Sequence, residues 1–321
     1  MTNASILEGI RQLKILVIGD LMLDHYIWGD VHRISPEAPV PVVNVARESH
    51  TAGGAANVAL NLASLGVAAR VAGTLGKDTS GEKLLGLLRA ADVDTSLCLR
   101  APLGPTIVKT RVIVRNQQLC RIDHEAAASL YSLDPTPELL SAIESSDAVI
   151  VSDYAKGVVS QNTLNAIIDH AKKHGKIIAI DPKPSSNLSF HGASLITPNR
   201  HEALELAGLA EPKIGEPYPL EKVCRNIHQS HAPELLIITL GADGMAISRY
   251  GKVEQTLPTR ARQVFDVSGA GDTVIATLTA ALASGASAEN ATKLANMAAG
   301  VVVSRIGTAT VTADDLLETD L

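Results

Sequence analysis

Near the C-terminal end of the chain, Asp266-Val-Ser-Gly-Ala-Gly-Asp272-Thr273 sets a carboxylate directly after a glycine-alanine-glycine turn. An apolar, strand-like run, Gln263-Val-Phe265, leads in, and a helical run of small residues, Val274 to Ala283, leads out. Glycines at 269 and 271 let the backbone turn tightly as the helix opens, leaving N–H groups directed outward at the positive end of the helix dipole. Such a turn is an anion site, and a carboxylate beside it is electrostatically costly unless the chemistry uses both. Asp272 as the base for a hydroxyl proton would use it, with the N–H groups of Gly269, Ala270 and Gly271 as donors to a transferring phosphoryl group. The same residues would also make an ordinary glycine-rich turn with an N-capping Asp.

Other chemistry-bearing residues stand where apolar runs end. Lys14 to Gly19 reads as a buried strand that runs into Asp20 and Asp24, carboxylates able to accept pairs of sugar hydroxyls. No Gly-x-Gly-x-x-Gly turn follows it, which removes the dinucleotide fingerprint and with it a nicotinamide dehydrogenase. Gly53-Gly54 opens a helix bearing Asn57, and a glycine pair without Cβ atoms permits close approach of a ligand. The helix stops at Gly66. Gly73 to Gly81 imitates a phosphate-binding loop but fails it, because Val71 and Asp78 stand where Gly and Ser or Thr are required. Asn199-Arg200-His201-Glu202 follows another strand end and puts Asn199 and Glu202 on one face of a starting helix, fit either for a hydrated magnesium ion or for a capping box.

These residues need elements to hold them. Apolar runs of strand length alternate with helical patterns through the chain, which predicts a doubly wound, mainly parallel α/β sheet forming a single domain over 1–321. Strand-end motifs from Asp20 to Asp272 then converge on one crevice at the sheet's carboxyl edge. Segments 25–46 and 105–124 break the pattern: the first carries prolines, and the second reads as a hairpin turning at Asn116-Gln117-Gln118 with Lys109, Arg115 and Arg121 on its strands. They predict a small inserted β lid, and Tyr26 and Trp28 are placed in it as packing for a lid–lid interface. His170 and His174, four apart on a helix with lysines nearby, read as a solvated face, since no third metal ligand is close in sequence. His201-Glu202 is not a zinc-protease motif, since residue 205 is Glu.

Composition narrows the field. Over 321 residues, 46% are hydrophobic but only 2% aromatic, so Ala, Val, Leu and Ile must build the core. A net charge of -6 without a basic block argues against nucleic acid as a partner. The three cysteines, Cys98, Cys120 and Cys224, show neither disulfide nor zinc spacing. No signal peptide or membrane-length apolar run is present, so the expectation is a cytoplasmic protein without a membrane partner.

The stretch 266–273 resembles the C-terminal signature of the ribokinase-like sugar kinases, usually written D-T-x-G-A-G-D, with Val267 where Thr is commonest. The resemblance runs nearly the whole chain: the glycine pair with Asn57, the Gly-x-Asp-x-x-Gly turn at 76–81, Asn199-x-x-Glu202, and the turn Gly241-Ala-Asp-Gly244. Arg115-Asn-Gln-Gln-Leu-x-Arg121-x-Asp123 and Ser152-Asp-Tyr-Ala-Lys-Gly157 resemble in particular the branch acting on heptose 7-phosphate. The resemblance implies transfer of the γ-phosphoryl group of ATP to the anomeric hydroxyl of that sugar phosphate. It implies Asp272 as base, Asp20, Asp24, Gly53, Gly54 and Asn57 at the sugar, and Lys109, Arg115, Arg121, Asp153 and Lys156 as substrate ligands. On the nucleotide side it implies Asn199, Arg200, His201, Thr239, Gly241, Gly244 and Asn296, with Glu202 ordering Mg2+. Potassium is a candidate activator, and a homodimer through the lid is expected. Relatives often carry a second, nucleotide-attaching domain with a His-x-Gly-His motif. None of the ten histidines stands in one, His228-Gln-Ser-His231 being the nearest imitation, so a kinase alone is expected. The rivals are another acceptor sugar or nucleoside, and a catalytically silent nucleotide sensor; retention of Asp272 and Glu202 argues against the second.

Overall fold

The computed structural model describes residues 1–115, 117–259, 266–305 and 307–319, with the side chain of Thr319 left aside. The run Gln263–Phe265 and Asn116 therefore lie outside the described residues. In chain order the helices are α1 (Asn3–Ile10), α2 (Ala55–Ser64), α3 (Thr79–Ala90), α4 (Pro137–Glu144), α5 (Gln161–Lys173), α6 (Arg200–Leu206), α7 (Leu220–His231), α8 (Ala270–Ala283), α9 (Ala288–Val302) and α10 (Ala313–Thr319). The strands are β1 (Lys14–Gly19), β2 (Leu21–Ile34), β3 (Pro41–Gly54), β4 (Ala68–Gly76), β5 (Asp94–Ala101), β6 (Ile107–Val114), β7 (Gln117–His124), β8 (Ala148–Ser152), β9 (Ile177–Asp181), β10 (Leu195–Ile196), β11 (Leu235–Thr239), β12 (Met245–Arg249) and β13 (Lys252–Leu257).

Among the described residues nine strands form one sheet in the order β13-β12-β11-β10-β9-β8-β1-β4-β5, parallel from β11 to β5 and closed by an antiparallel pair at the β13 edge. Successive side chains of a strand point to opposite faces, so strands buried on both sides are apolar throughout. Ile15 and Val17 of β1 join a core with Leu62 of α2, Leu84 of α3 and Ile275 of α8. Leu16 and Ile18 join the opposite core with Ile143 of α4, Ile167 of α5 and Ile227 of α7. Tyr131 and Phe190, the largest fully buried side chains, both lie in the second core; elsewhere small aliphatic residues suffice, as the composition requires. No helix among the described residues is long and apolar enough to cross a membrane.

The lid is a second, four-stranded sheet in the order β3-β2-β6-β7. Only Asp20 separates β1 from β2, and β3 runs into α2 at Gly54, so the lid grows directly out of the crevice wall. The proline-containing segment is an edge strand, as expected, with Pro41 at its start. The hairpin turn is tighter than the sequence suggested: Val114 pairs with Gln117, so Gln117 and Gln118 belong to β7 and not to the turn. The lid aromatics also depart from expectation. Tyr26 is 4% exposed and stacks on Trp28, with the Arg47 guanidinium 3.9 Å above the indole ring. Strand alternation puts both on the face shared with Asp24, whereas Ile27, Val43, Val45, Val112 and Cys120 line an apolar groove of about 510 Å³ on the other face.

Candidate active site

Asp272 is the third residue of α8, and its carboxylate is held at both oxygens. Asn57 Nδ2 donates to Oδ2 at 2.7 Å, and the Tyr154 hydroxyl donates to Oδ1 at 2.8 Å. Asn57 is fixed in turn by Asn61 Nδ2, which donates to the Asn57 carbonyl at 2.9 Å; Asn61 Oδ1 accepts from Thr273 Oγ1 at 2.9 Å. The network locks α2 to α8 and aims one carboxylate at the crevice. Asn57, expected at the sugar, spends its amide N–H on the Asp272 carboxylate. Burial pushes the Asp272 carboxyl up to about 6 against the opposing donation by Asn57 and Tyr154, with the charge of Asp24 adding to the rise and Lys109 opposing it. A base that titrates just below neutrality is matched to proton abstraction from a sugar hydroxyl.

The turn before it has a steric reason for glycine. Gly269 has φ +78°, and a Cβ there would come within 2.7 Å of Asn57 Nδ2. The N–H groups divide differently from the expected trio, because Ala270 N–H donates back to the Val267 carbonyl at 3.2 Å. Asp266 ties the turn down, accepting from Ser268 N–H at 2.9 Å and Gly307 N–H at 3.1 Å.

The two N-terminal carboxylates separate into different jobs. Asp20 accepts from the backbone N–H groups of Tyr154, Lys156 and Val158 at 2.8, 3.0 and 3.1 Å, so its oxygens are committed to shaping the loop after β8. It orders that loop. Asp24 faces the crevice and pairs with Arg111 Nη1, a residue the sequence reading passed over. Its signal was strand parity: Lys109 and Arg111 are two apart on β6, pair in register with Asp24 and Tyr26, and share their face. Lys109 Nζ stands 5.4 Å from the Tyr154 ring, and burial pulls its pKa down, partly offset by Asp24. A Cβ at Gly53 would meet Asp24 Oδ2 at 2.5 Å, so the glycine makes room for that carboxylate; Gly54 lets β3 turn into α2 at φ +59°. Asp153 Oδ1 accepts from Ala155 N–H at 2.8 Å, and Lys156 Nζ donates to Glu125 at 2.8 Å. Arg121 is engaged with Asp123 at 2.8 and 2.9 Å on the edge strand, and Arg115 occupies the hairpin turn with φ +48°. Arg121 pairs in register with Arg111 and shares its face of the sheet.

A cavity of about 210 Å³ continues from Asp272 along the carboxyl edge, walled by Tyr154, Asp181, Lys183, Asn199, Glu202 and Thr239 among others. Asn199 and Glu202 form a complete capping box: Asn199 Oδ1 accepts from the N–H groups of His201 and Glu202 at 3.0 Å each, and Glu202 Oε2 accepts from Asn199 N–H at 3.0 Å. Glu202 Oε1 meanwhile accepts from Lys183 Nζ at 3.0 Å. Asp181, at the end of β9, is, like Arg111 and Tyr154, a residue the sequence reading did not assign. Burial, then the charges of Glu202 and Asp272, hold its carboxyl well above the ordinary range. Three carboxylates crowding one cavity, beside a single lysine, is an arrangement that a hard divalent cation relieves, and an all-oxygen donor set fits magnesium. Farther along the edge, Arg200 pairs with Asp243 at 2.9 Å, linking α6 to the turn Gly241–Gly244. Gly244 is needed for that turn, since a Cβ would strike the Leu257 carbonyl at 1.9 Å. Asn296 Nδ2 donates to the Pro258 carbonyl at 2.7 Å, and His201 turns outward to Glu205 and Glu211 at 2.8 and 2.5 Å.

A buried carboxylate at a helix N-terminus, under a second sheet and next to an acidic cavity at the carboxyl edge of a parallel sheet, is an arrangement suited to phosphoryl transfer. Residues 12–315 match the profile of the pfkB family carbohydrate kinases, and the chain belongs to that family of ATP-dependent sugar kinases. It is 45% identical over 300 residues to the bifunctional protein HldE of Methylobacillus flagellatus, covering 92% of this chain and 60% of that protein. It is 43% identical over 302 residues to HldE of Desulfatibacillum aliphaticivorans, covering 93% and 61%. The chain thus spans less than two thirds of the length of these curated relatives. Among solved structures, Arabidopsis thaliana ribokinase complexed with ribose and ATP superposes with a TM-score of 0.77 at 19% identity, over 96% of this chain and 98% of that one. Phosphofructokinase-2 from Escherichia coli, in its tetrameric inhibited form, gives 0.76 at 19% identity over 96% and 98%. At that identity the likeness is one of fold.

Proposed function

We propose that the chain transfers the γ-phosphoryl group of ATP to the anomeric hydroxyl of D-glycero-D-manno-heptose 7-phosphate, giving the 1,7-bisphosphate. The observation that carries the reading is the doubly held Asp272 facing Asp24, Arg111 and Lys109 across the lid. Asp272 takes the hydroxyl proton as the sugar oxygen bonds to the γ-phosphorus and the bond to the β-phosphate oxygen breaks. Tyr154 and Asn57 keep its carboxylate in line, and the start of α8 offers N–H groups to the transferring charge. Mg2+, when bound, neutralises the nucleotide phosphates; Glu202 and Asp181 are the residues to hold it, with Lys183 beside them, and K+ is a candidate activator. Closure of the lid excludes water that would hydrolyse ATP.

The choice of acceptor rests on the similarity to HldE proteins and on the cations of β6. Lys109 and Arg111 are the candidates to bind the distal phosphate, Arg111 through exchange of its Asp24 partner. The apolar outer face of the lid supports a homodimer. The test is a phosphoryl-transfer assay over a panel of sugars and sugar phosphates, with heptose and heptose 7-phosphate as the decisive pair. The 7-phosphate should be the better substrate by at least about a hundredfold in kcat/KM, since the sugar lacking it leaves the half-buried Lys109 without an anion to pair. Equal values would remove the phosphate from the recognition scheme, and a faster unrelated acceptor would replace the heptose.

A further inference from the structure

His170 lies in the last turn of α5 and His174 caps its C-terminus four residues on, and the tertiary structure supplies the third ligand that their sequence neighbourhood lacks. Glu144, the last residue of α4, brings Oε1 to 2.9 Å from His170 Nε2 and 3.6 Å from His174 Nε2, and the two imidazole rings stand 4.5 Å apart. Ligand atoms about 2.05 Å from a tetrahedral zinc ion are roughly 3.3 Å from one another, a value these two separations bracket. The second observation concerns the tautomer. His174 Nδ1 lies 2.9 Å from the His170 carbonyl oxygen, which can only accept, so Nδ1 carries a proton and donates. In the neutral ring Nε2 is then the acceptor nitrogen, 3.6 Å from a carboxylate oxygen that also accepts, a contact that becomes favourable only with a proton or a metal ion between them. An imidazole whose outer nitrogen donates to a carbonyl is the usual arrangement behind a bound metal.

We propose that Glu144, His170 and His174 form a binding site for a zinc-class divalent transition metal that clamps α4 to α5. Two imidazoles and one carboxylate favour zinc, nickel or copper over magnesium, which takes oxygen ligands. The cluster is partly exposed, leaving a fourth position to water. It lies away from the crevice: α4 leads into β8 and α5 returns from it, so both helix ends sit at the amino edge of the sheet, opposite Asp272. The negative end of the α5 dipole adds to the attraction for a cation. Lys172 and Lys173 on the same turn oppose it, which sets the affinity below that of a closed, four-ligand zinc site.

The experiment titrates the purified chain with Zn2+ by calorimetry, and with Co2+ by its visible absorption, in excess Mg2+ so that the acidic crevice is already occupied. One equivalent should bind. His170→Ala and His174→Ala should each weaken binding at least about tenfold, and Glu144→Gln roughly tenfold. At zinc a hundredfold above its dissociation constant, Tm of the wild type should rise on the order of 5 °C, and that of the histidine variants should not. Kinase turnover of the variants should match wild type, which also establishes that they fold. Absence of saturable binding up to about 1 mM metal would overturn the proposal. So would binding unaltered in both histidine variants, or binding lost instead in Cys120→Ser.

Discussion

At the scale of single residues the site turns on the ionisation of Asp272. Its folded pKa of about 6 lies above the ordinary 3.8, so folding favours the protonated carboxyl. The stability this group lends is complete below the ordinary value and is lost as pH rises through 6. Activity runs the other way, because only the ionised form is a base: kcat should fall below pH 6 with a slope of one. Asp272→Asn should therefore lower turnover by about a thousandfold while leaving nucleotide binding nearly intact. At pH 7.5 it should also stabilise the fold, by up to about 3 kcal/mol, from a shift of about two units at ~1.36 kcal/mol each. A rate within about tenfold of wild type would remove Asp272 from the role of base. Tyr154→Phe deletes one donor to the carboxylate, so the acid limb of the kcat profile should move upward by on the order of one pH unit. An unmoved limb alongside a lower Tm would make Tyr154 a packing residue only.

At the scale of elements, two helix N-termini do the positioning, by different devices. The α8 terminus depends on Gly269, where φ +78° and the Asn57 amide leave no space for a side chain. Gly269→Ala should cost on the order of 1–2 kcal/mol of stability and displace Asn57, lowering kcat more than it raises KM for the sugar. A drop in Tm with kcat unchanged would separate the turn from the chemistry. The α6 terminus uses Glu202 both as cap and as a wall of the acidic cavity. Glu202→Gln retains an acceptor for Asn199 N–H but removes the charge. Unfolding should change by less than about 1 kcal/mol while the magnesium needed for half-maximal rate rises several-fold. A magnesium titration superimposable on that of the wild type would exclude Glu202 from the metal's surroundings.

At the scale of the whole molecule, the lid presents opposite characters on its two faces: charged and aromatic toward Asp272, apolar away from it. Val45 is 54% exposed and Leu119 45%, an unusual amount of aliphatic surface for strands that are not part of the main core. If two lids meet there, Val45→Glu should shift the protein to monomer in sedimentation and loosen closure over the sugar, raising KM more than it lowers kcat. A wild-type protein that is monomeric at tens of micromolar would refute the pairing.

The amino-acid sequence alone determined the architecture and pointed to Asp272 as the candidate base. Apolar runs of strand length alternating with helices leave few topologies open, and a glycine turn followed by Asp272 is a local signal read without neighbours. The lid was legible from the same kind of pattern, because prolines and a cationic hairpin do not fit buried parallel strands. What remained undetermined involves groups far apart in the chain. Asp20 and Asp24 are chemically alike, and only folding showed that one is saturated by the loop after β8 while the other meets Arg111. Tyr154 and Asn57 reach Asp272 from 118 and 215 residues away. Asp181 joins Glu202 only once the end of β9 and the start of α6 meet at one edge. Glu144 likewise reaches the two α5 histidines only through the packing of α4. Hydrogen bonds and charge interactions act over a few ångströms of space, so spacing along the chain settles them only within a single helix or strand; the packing of separate elements decided the rest.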